Sequence, residues 1–391
     1  MDEAQITPDI PQTPSRLEQL ANRPEYKSST VVAKMRKQTG KPYAFCTDVD
    51  GTWIKHLDLP QDQSSLSPQD LETKQEELDG LNEKYLDATK RNKMFLDKKG
   101  VPIIAVTGRD SQDLIELRER MGDVADFDIL IGSQGGEIFV RQQDGTYVRD
   151  EVHHGLTEQF DKDNIHLACK DFMTNLPNKL SFMQRDTDEN IALYTTDPDA
   201  KQHGLTTIDR PLPDKVLCNF SGNQQEAEKL KQDLEDYLSS RGFTQNSVVI
   251  VGTGGRMDLW DVEIVPMDKL KAIEYLTDAI GMDAVVAGDG GNDLAMIRYG
   301  ANAGIVAGGS QPYLQNEIAA HPVIKQTRHF TKLLVRNPNG TESPRVFHLP
   351  SSQSRDNEGP ASILDVEKIY HGLMLLRSFS HNNRSSRRPL S

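Results

Sequence analysis

From Tyr43 onward, short apolar runs alternate with stretches in which apolar residues recur at helical spacing. Tyr43-Ala-Phe-Cys-Thr47 predicts the first strand, and further strands are expected at Val101–Val106, Phe127–Ile131, Glu137–Val140, Ala284–Ala287 and Gly304–Ala307. Between the first two, Ser67-Pro68 reads as an N-cap and first turn. Leu71, Leu78, Leu81, Tyr85 and Phe95 then carry a charged helix to a stop at Lys98-Lys99-Gly100. Another helix is expected over 111–121, and a new helical segment begins at Lys269. Strands alternating with helices imply an α/β fold whose mainly parallel sheet is covered on both faces. Ligands of such sheets sit beyond the carboxyl ends of the strands.

The texture changes between 152 and 256. Helical stretches near 158–175 and 223–240 alternate there with short strands near 191–195, 215–220 and 247–251, which predicts an inserted α+β module of domain size. The expected organisation is therefore a polar arm over 1–38, a core in two parts (39–151 and 257–336), the insert at 152–256, and a polar extension over 337–391. Within that extension an apolar segment predicts a helix near 363–376, followed by a basic tail.

Composition narrows the function classes. With 36% hydrophobic and 27% charged residues the chain reads as a globular protein with polar ends. No window reaches a membrane span, and the first residues lack the order of a signal peptide. Cys46, Cys169 and Cys218 are scattered, with no CxxC spacing, which fits a reducing compartment. A cytoplasmic location is expected, apart from signal-independent secretion, which leaves no such mark. A formal charge of −14, from 59 acidic against 45 basic residues, argues against nucleic-acid binding. An acidic chain that handles phosphate must supply positive charge locally.

The candidate chemistry lies in the turns after strands. Asp48-Val-Asp50-Gly51-Thr52 holds two carboxylates one residue apart, an arrangement that raises both pKa values unless a cation intervenes. An acidic turn that caps a helix or faces water has the same appearance. Gly288-Asp289-Gly-Gly-Asn292-Asp293 adds two carboxylates and an amide among glycines, which suits a metal pocket, although Asp293 also reads as a helix cap. Thr107, in Thr107-Gly108-Arg109, offers a hydroxyl to a phosphate or to a helix end. Lys269 is either a surface lysine or a phosphate-neutralising one.

Taken in this order the four segments resemble the haloacid dehalogenase superfamily of phosphotransferases, over roughly residues 40–335. The position of the insert resembles members with a C2-type cap. Gly254–Pro266 and Gly304–Leu314 look closest to the sucrose-phosphatase and Cof-like sugar-phosphate phosphatase branch. The resemblance implies a Rossmann-like core with an inserted α+β cap, and Asp48 as nucleophile with Asp50 as general acid/base. It implies Thr107 and Lys269 as phosphoryl-binding groups, with Gly51, Thr52, Gly108, Arg109 and Asn292 near the phosphate. It also implies Mg2+ on Asp48, Asp50 (through its carbonyl), Asp289 and Asp293. Departures are Trp53 where a leucine is frequent, Leu270 after the lysine, and Gly135-Gly136 where many relatives have Asn-Gly; Lys271 is the alternative third-motif lysine.

The implied activity is a magnesium-dependent phosphomonoesterase acting on a small phosphorylated metabolite, a sugar phosphate. Substrates of other kinds (phosphoprotein, phospholipid or nucleotide) keep the same chemistry, and a partner-binding role through the terminal arms is the alternative from another class. His153, His154, Arg185, Lys201, His203 and Arg210 are the polar insert residues that could read the substrate, each of which also reads as a solvated surface group.

Overall fold

The computed structural model describes residues 43–54, 68–174, 181–185, 191–195, 215–221, 223–251, 259–299, 303–306, 310–326, 331–337 and 339–348. The arm at 1–38, the helix expected near 363–376, and Lys201, His203 and Arg210 lie outside them.

The core strands are β1 (Tyr43–Thr47), β2 (Ile103–Val106), β3 (Ile129–Gly132), β4 (Glu137–Arg141) and β5 (Tyr147–Arg149). Between β1 and β2 runs the long helix α1 (Pro68–Lys99), and α2 (Ser111–Met121) follows β2. Next come α3 (Glu151–Thr157), α4 (Lys162–Thr174), β6 (Ser181–Arg185), β7 (Ile191–Thr195), β8 (Val216–Ser221), α5 (Gln224–Ser240), β9 (Ser247–Ile250) and β10 (Leu259–Val265). The chain returns through α6 (Lys269–Ile280), β11 (Asp283–Gly288), α7 (Leu294–Tyr299), β12 (Ala303–Val306), α8 (Pro312–Ala319), β13 (Val323–Gln326), β14 (Thr331–Arg336) and β15 (Glu342–His348).

Among the described residues a ten-stranded sheet runs β13-β14-β15-β12-β11-β1-β2-β3-β4-β5. Its centre, from β15 to β3, is parallel, and the flanking pairs are antiparallel. Successive side chains of β1 serve opposite faces, as the pleat requires. Ala44 and Cys46 pack with Ala272, Ile273 and Leu276 of α6, whereas Phe45 joins Leu96 of α1 and Leu114 of α2. Burial on both faces explains why these strands are continuous apolar runs rather than alternating ones.

The inserted strands form sheets of their own, β8-β10-β9 and β6-β7. Two expectations need correction here. β10 was expected in the second part of the core, yet it pairs antiparallel with β8 and β9. The polar extension expected from 337 contributes β15, which lies in the main sheet between β12 and β14. Its sequence, Glu-Ser-Pro-Arg-Val-Phe-His, hides this: Phe347 is fully buried, but two adjacent apolar residues among seven are a weak strand signal. No helix among the described residues is long and apolar enough to cross a membrane.

Candidate active site

The order β11-β1-β2 puts the ends of three successive sheet neighbours side by side. Thr47 is level with Ala287 on one flank and Ala105 on the other. One residue beyond, the Asp48 N–H donates to the Ala287 carbonyl at 2.9 Å, so the nucleophile candidate leaves the sheet in strand register. The turn closes when the Trp53 N–H reaches the Asp48 and Val49 carbonyls, at 3.2 and 3.1 Å. Val49 and Trp53 are buried in the α1-side core, which aims the two acids the other way.

Lys269 opens α6, and Asp268 caps that helix. The Lys269 Nζ donates to Asp48 Oδ1 and to Asp293 Oδ1, each at 2.7 Å. All three side chains are buried. Burial would lower the Lys269 pKa, but Asp293 and Asp48 outweigh it and the ammonium is held firmly. Burial, with Asp293 and Asp289 adding to it, pushes the Asp48 carboxyl well above the usual carboxylate range against the opposing pull of Lys269. Lys271, the alternative lysine, donates to Ser247 Oγ at 2.9 Å instead. Asp293 is fixed through its other oxygen, which accepts from the Asp289 and Gly290 N–H groups at 3.0 and 2.9 Å.

Carboxylate oxygens of Asp48, Asp289 and Asp293 lie within 4.8 Å of one another. With Asp50, the rim has four carboxylates facing two cationic side chains, Lys269 and Arg109. Three carboxylates, two of them buried, around one buried ammonium leave an excess of negative charge on oxygen-only donors, which fits a hard divalent cation such as Mg2+. Thr52 Oγ1 donates to Asp289 Oδ1 at 2.8 Å, orienting that carboxylate. Gly51 has φ +77°, and a Cβ there would overlap the Asp289 carboxylate. A glycine is needed at that point twice over.

Thr107 follows the last residue of β2, buried, and its Oγ1 accepts from the Arg109 N–H at 3.3 Å. Arg109 does not stand open for phosphate in this state. Its Nε and terminal nitrogen donate to the two Asp50 oxygens at 2.6 and 2.7 Å, a bidentate fork that raises the guanidinium pKa further. Asn292 donates to Gln134 Oε1 at 3.1 Å. Gly108 lies under the Gln134 carboxamide, and its carbonyl accepts from Lys215 Nζ at 3.3 Å. Lys215 in turn pairs with Glu263 at 2.5 Å, both buried.

His153 must be withdrawn from the substrate-reading residues. It is 1% exposed and stacks on Tyr275 of α6 at 5.3 Å, because α3 lays that face on the core. Gln134, Lys215 and Glu263 were not singled out from sequence. A glutamine in a Gly-rich loop and a lysine entering a strand carry no distinguishing signal.

Aspartates and a lysine gathered at the ends of parallel strands define a carboxylate-and-lysine site of the α/β class. A family model described as haloacid dehalogenase-like hydrolase matches residues 45–327, and the chain belongs to that family. Among solved structures it is similar to the haloacid dehalogenase-like hydrolase yhjK from Bacillus subtilis, at 14% identity and a TM-score of 0.37, covering 74% of this chain and 92% of that one. It is also similar to the subclass IIB sugar phosphatase BT4131, at 16% identity and a TM-score of 0.40, covering 70% of this chain and 90% of that one. A haloacid dehalogenase-like hydrolase from Bacteroides thetaiotaomicron is 20% identical with a TM-score of 0.35, covering 70% and 91%. No curated protein matches the chain in sequence.

Proposed function

We propose that this chain is a magnesium-dependent phosphomonoesterase that moves the phosphoryl group of a small phosphorylated metabolite onto Asp48 and then to water. The observation that carries the reading is the buried Lys269 ammonium held between Asp48 and Asp293, beside Asp289. Such an ammonium fixes one oxygen of Asp48 and leaves the other to form a bond with phosphorus. The P–O bond to the leaving alcohol breaks, and Asp50 supplies the proton. Water then attacks the phosphorus of the aspartyl-phosphate, Asp50 accepts its proton, and the Asp48 carboxylate is released. Thr107 Oγ1 and Lys269 hold the transferring oxygens. Magnesium, when bound by Asp48, Asp289, Asp293 and the Asp50 carbonyl, neutralises the phosphate charge. Asp50 has to leave the Arg109 fork before it carries a proton, and a phosphate dianion is the natural competitor for that guanidinium.

The sugar-phosphate reading rests on the resemblance of 254–266 and 304–314 to the sucrose-phosphatase branch. An insert that closes over the strand ends would exclude water and read the leaving group. Buried free Cys46 and Cys169 fit the cytoplasm. The test is hydrolysis of p-nitrophenyl phosphate by the wild type and Asp48→Asn, with and without Mg2+. Turnover only in the wild type with metal is expected, and equal rates in the two proteins refute the nucleophile. A panel of sugar phosphates against phosphopeptides and nucleotides then tests the substrate class, which a phosphopeptide preference would overturn.

A further inference from the structure

The turn between β3 and β4 has an unusual backbone. Among the described residues, Ser133 and Gln134 are the only non-glycine residues with positive φ, at 48° and 61°, and they are consecutive. Both are buried. Left-handed backbone disfavours residues with a Cβ, and two in succession persist only where the surroundings over-determine them.

The surroundings are three of the four segments of the proposed active site. The Gln134 N–H donates to the Thr107 carbonyl at 2.9 Å, and the Ser133 N–H to the Arg109 carbonyl at 2.7 Å, so the turn clasps Thr107–Arg109 from both ends. The Gln134 carboxamide accepts from Asn292 at 3.1 Å, inside the loop that carries Asp289 and Asp293. Its nitrogen packs on Gly108 so closely that a Cβ there would be 2.8 Å away. Gly135, at φ +119°, lies against the Met267 and Asp268 carbonyls just before Lys269, where a Cβ would meet them at 2.7 and 2.6 Å.

We propose that Gln134 is a positioning residue: the strained 133–135 elbow sets the spacing between the Thr107 hydroxyl, the Lys269 helix and the Asp289/Asp293 loop. The strain is retained because the left-handed turn is what directs the carboxamide between Gly108 and Asn292. The kinetic part of this inference rests on the phosphatase reading; the metal-affinity part does not.

The test compares the wild type with Gln134→Gly and Gln134→Asn. Glycine adopts the left-handed region freely, so Gln134→Gly relieves the strain while removing the carboxamide. Its Tm is expected to equal or exceed that of the wild type, while kcat for p-nitrophenyl phosphate falls about 10- to 100-fold with KM nearly unchanged. Asparagine tolerates this backbone and keeps a shorter amide, so Gln134→Asn should recover part of kcat. The rise in Tm produced by Mg2+ should be smaller in Gln134→Gly than in the wild type. Wild-type kcat in Gln134→Gly, or a kcat loss matched by a fall in Tm, overturns the proposal. If the wild type hydrolyses no phosphate monoester, the phosphatase reading fails by itself and the magnesium shift decides. A smaller shift in Gln134→Gly then supports the elbow, whereas equal shifts, or none in either protein, refute it.

Discussion

Asp50 and Asp48 are separated by one residue and live in different electrostatic worlds. Asp48 is buried against Lys269 and Asp293, while Asp50 is exposed and clasped by Arg109. Two carboxylates in unlike surroundings can divide nucleophile and acid/base duties between them. Asp50→Asn therefore leaves Asp48, Asp289 and Asp293 unchanged while it removes the proton carrier and weakens the Arg109 fork, since a carboxamide offers one acceptor oxygen in place of two. Mg2+ affinity measured by calorimetry should stay within a few-fold, while kcat falls by at least ~10². A near-normal kcat would assign the acid to another group. Asp48, Asp289 and Lys269 were singled out by the resemblance of the four segments taken together, and the structure brings their side chains to one place; read alone, Lys269 has the look of a surface lysine. The Arg109–Asp50 fork was not, since a bidentate contact depends on where two turns end in space, and nothing in Thr-Gly-Arg distinguishes an arginine facing a phosphate from one facing a carboxylate. Thr52 is similar: its hydroxyl orients Asp289, a contact across 237 positions of sequence.

At the scale of elements, the strand and helix pattern was read closely where both faces are buried and poorly at the sheet margins. β1, α1 and α2 lie where apolar spacing put them: β1 is buried at every position, and the two helices bury one face each, through Tyr85 and Leu96 of α1 and Leu114 and Leu117 of α2. β13 is exposed along its length and the apolar residues of β15 are confined to the adjacent Val346 and Phe347, so neither has a pattern to read. Trp53, which departs from the family's usual leucine, anchors the first catalytic turn to the rest of its layer. It is fully buried, its Nε1 donates to the Val124 carbonyl at 2.9 Å, and its ring packs between Phe45 and Phe127. Trp53→Leu should lower the unfolding free energy by about 2–4 kcal/mol in urea, from the cavity and the abandoned Val124 carbonyl. α3 makes a second prediction. Burial pushes the His153 pKa down to about 4 from 6.5, against the opposing influence of Asp150. The fold thus favours the neutral ring. The unfolded chain takes up the proton first as pH falls, so this contribution is full above about 6.5 and is lost toward 4. His153→Phe keeps a ring on Tyr275 and cannot titrate, so its Tm should drop less than the wild type's between pH 7 and pH 4.5. An identical acid drop in both proteins would place the titrating group elsewhere.

At the scale of the molecule, contacts between the β8-β10-β9 sheet and the core adjoin the site. The Trp260 ring of β10 meets Tyr313 of α8 edge-on at 6.0 Å, and Tyr313 closes over Gly291. Lys215, at the entrance to β8, reaches the Gly108 carbonyl between Thr107, the proposed phosphoryl-binding residue, and Arg109, which holds Asp50. The pair it forms with Glu263 has side chains only 6% and 7% exposed, and Glu263 Oε2 has no hydrogen-bond partner among the described residues. A buried pair of this kind contributes little net stability over an apolar one, whereas losing one member strands the other. Lys215→Met should therefore leave Glu263 uncompensated, at a cost of about 3–5 kcal/mol borne mainly by the β8-β10-β9 sheet. Scanning calorimetry should show its melting separate from, and precede, that of the core. Adding Glu263→Leu should remove the stranded charge and restore a single transition near the wild-type Tm, although the link to Gly108 is gone. That double variant separates two roles the pair could play. If it is stable but kcat remains depressed, the lysine matters because it ties the insert to the turn carrying Thr107 and Arg109; if kcat recovers with stability, the pair serves only to hold the small sheet together.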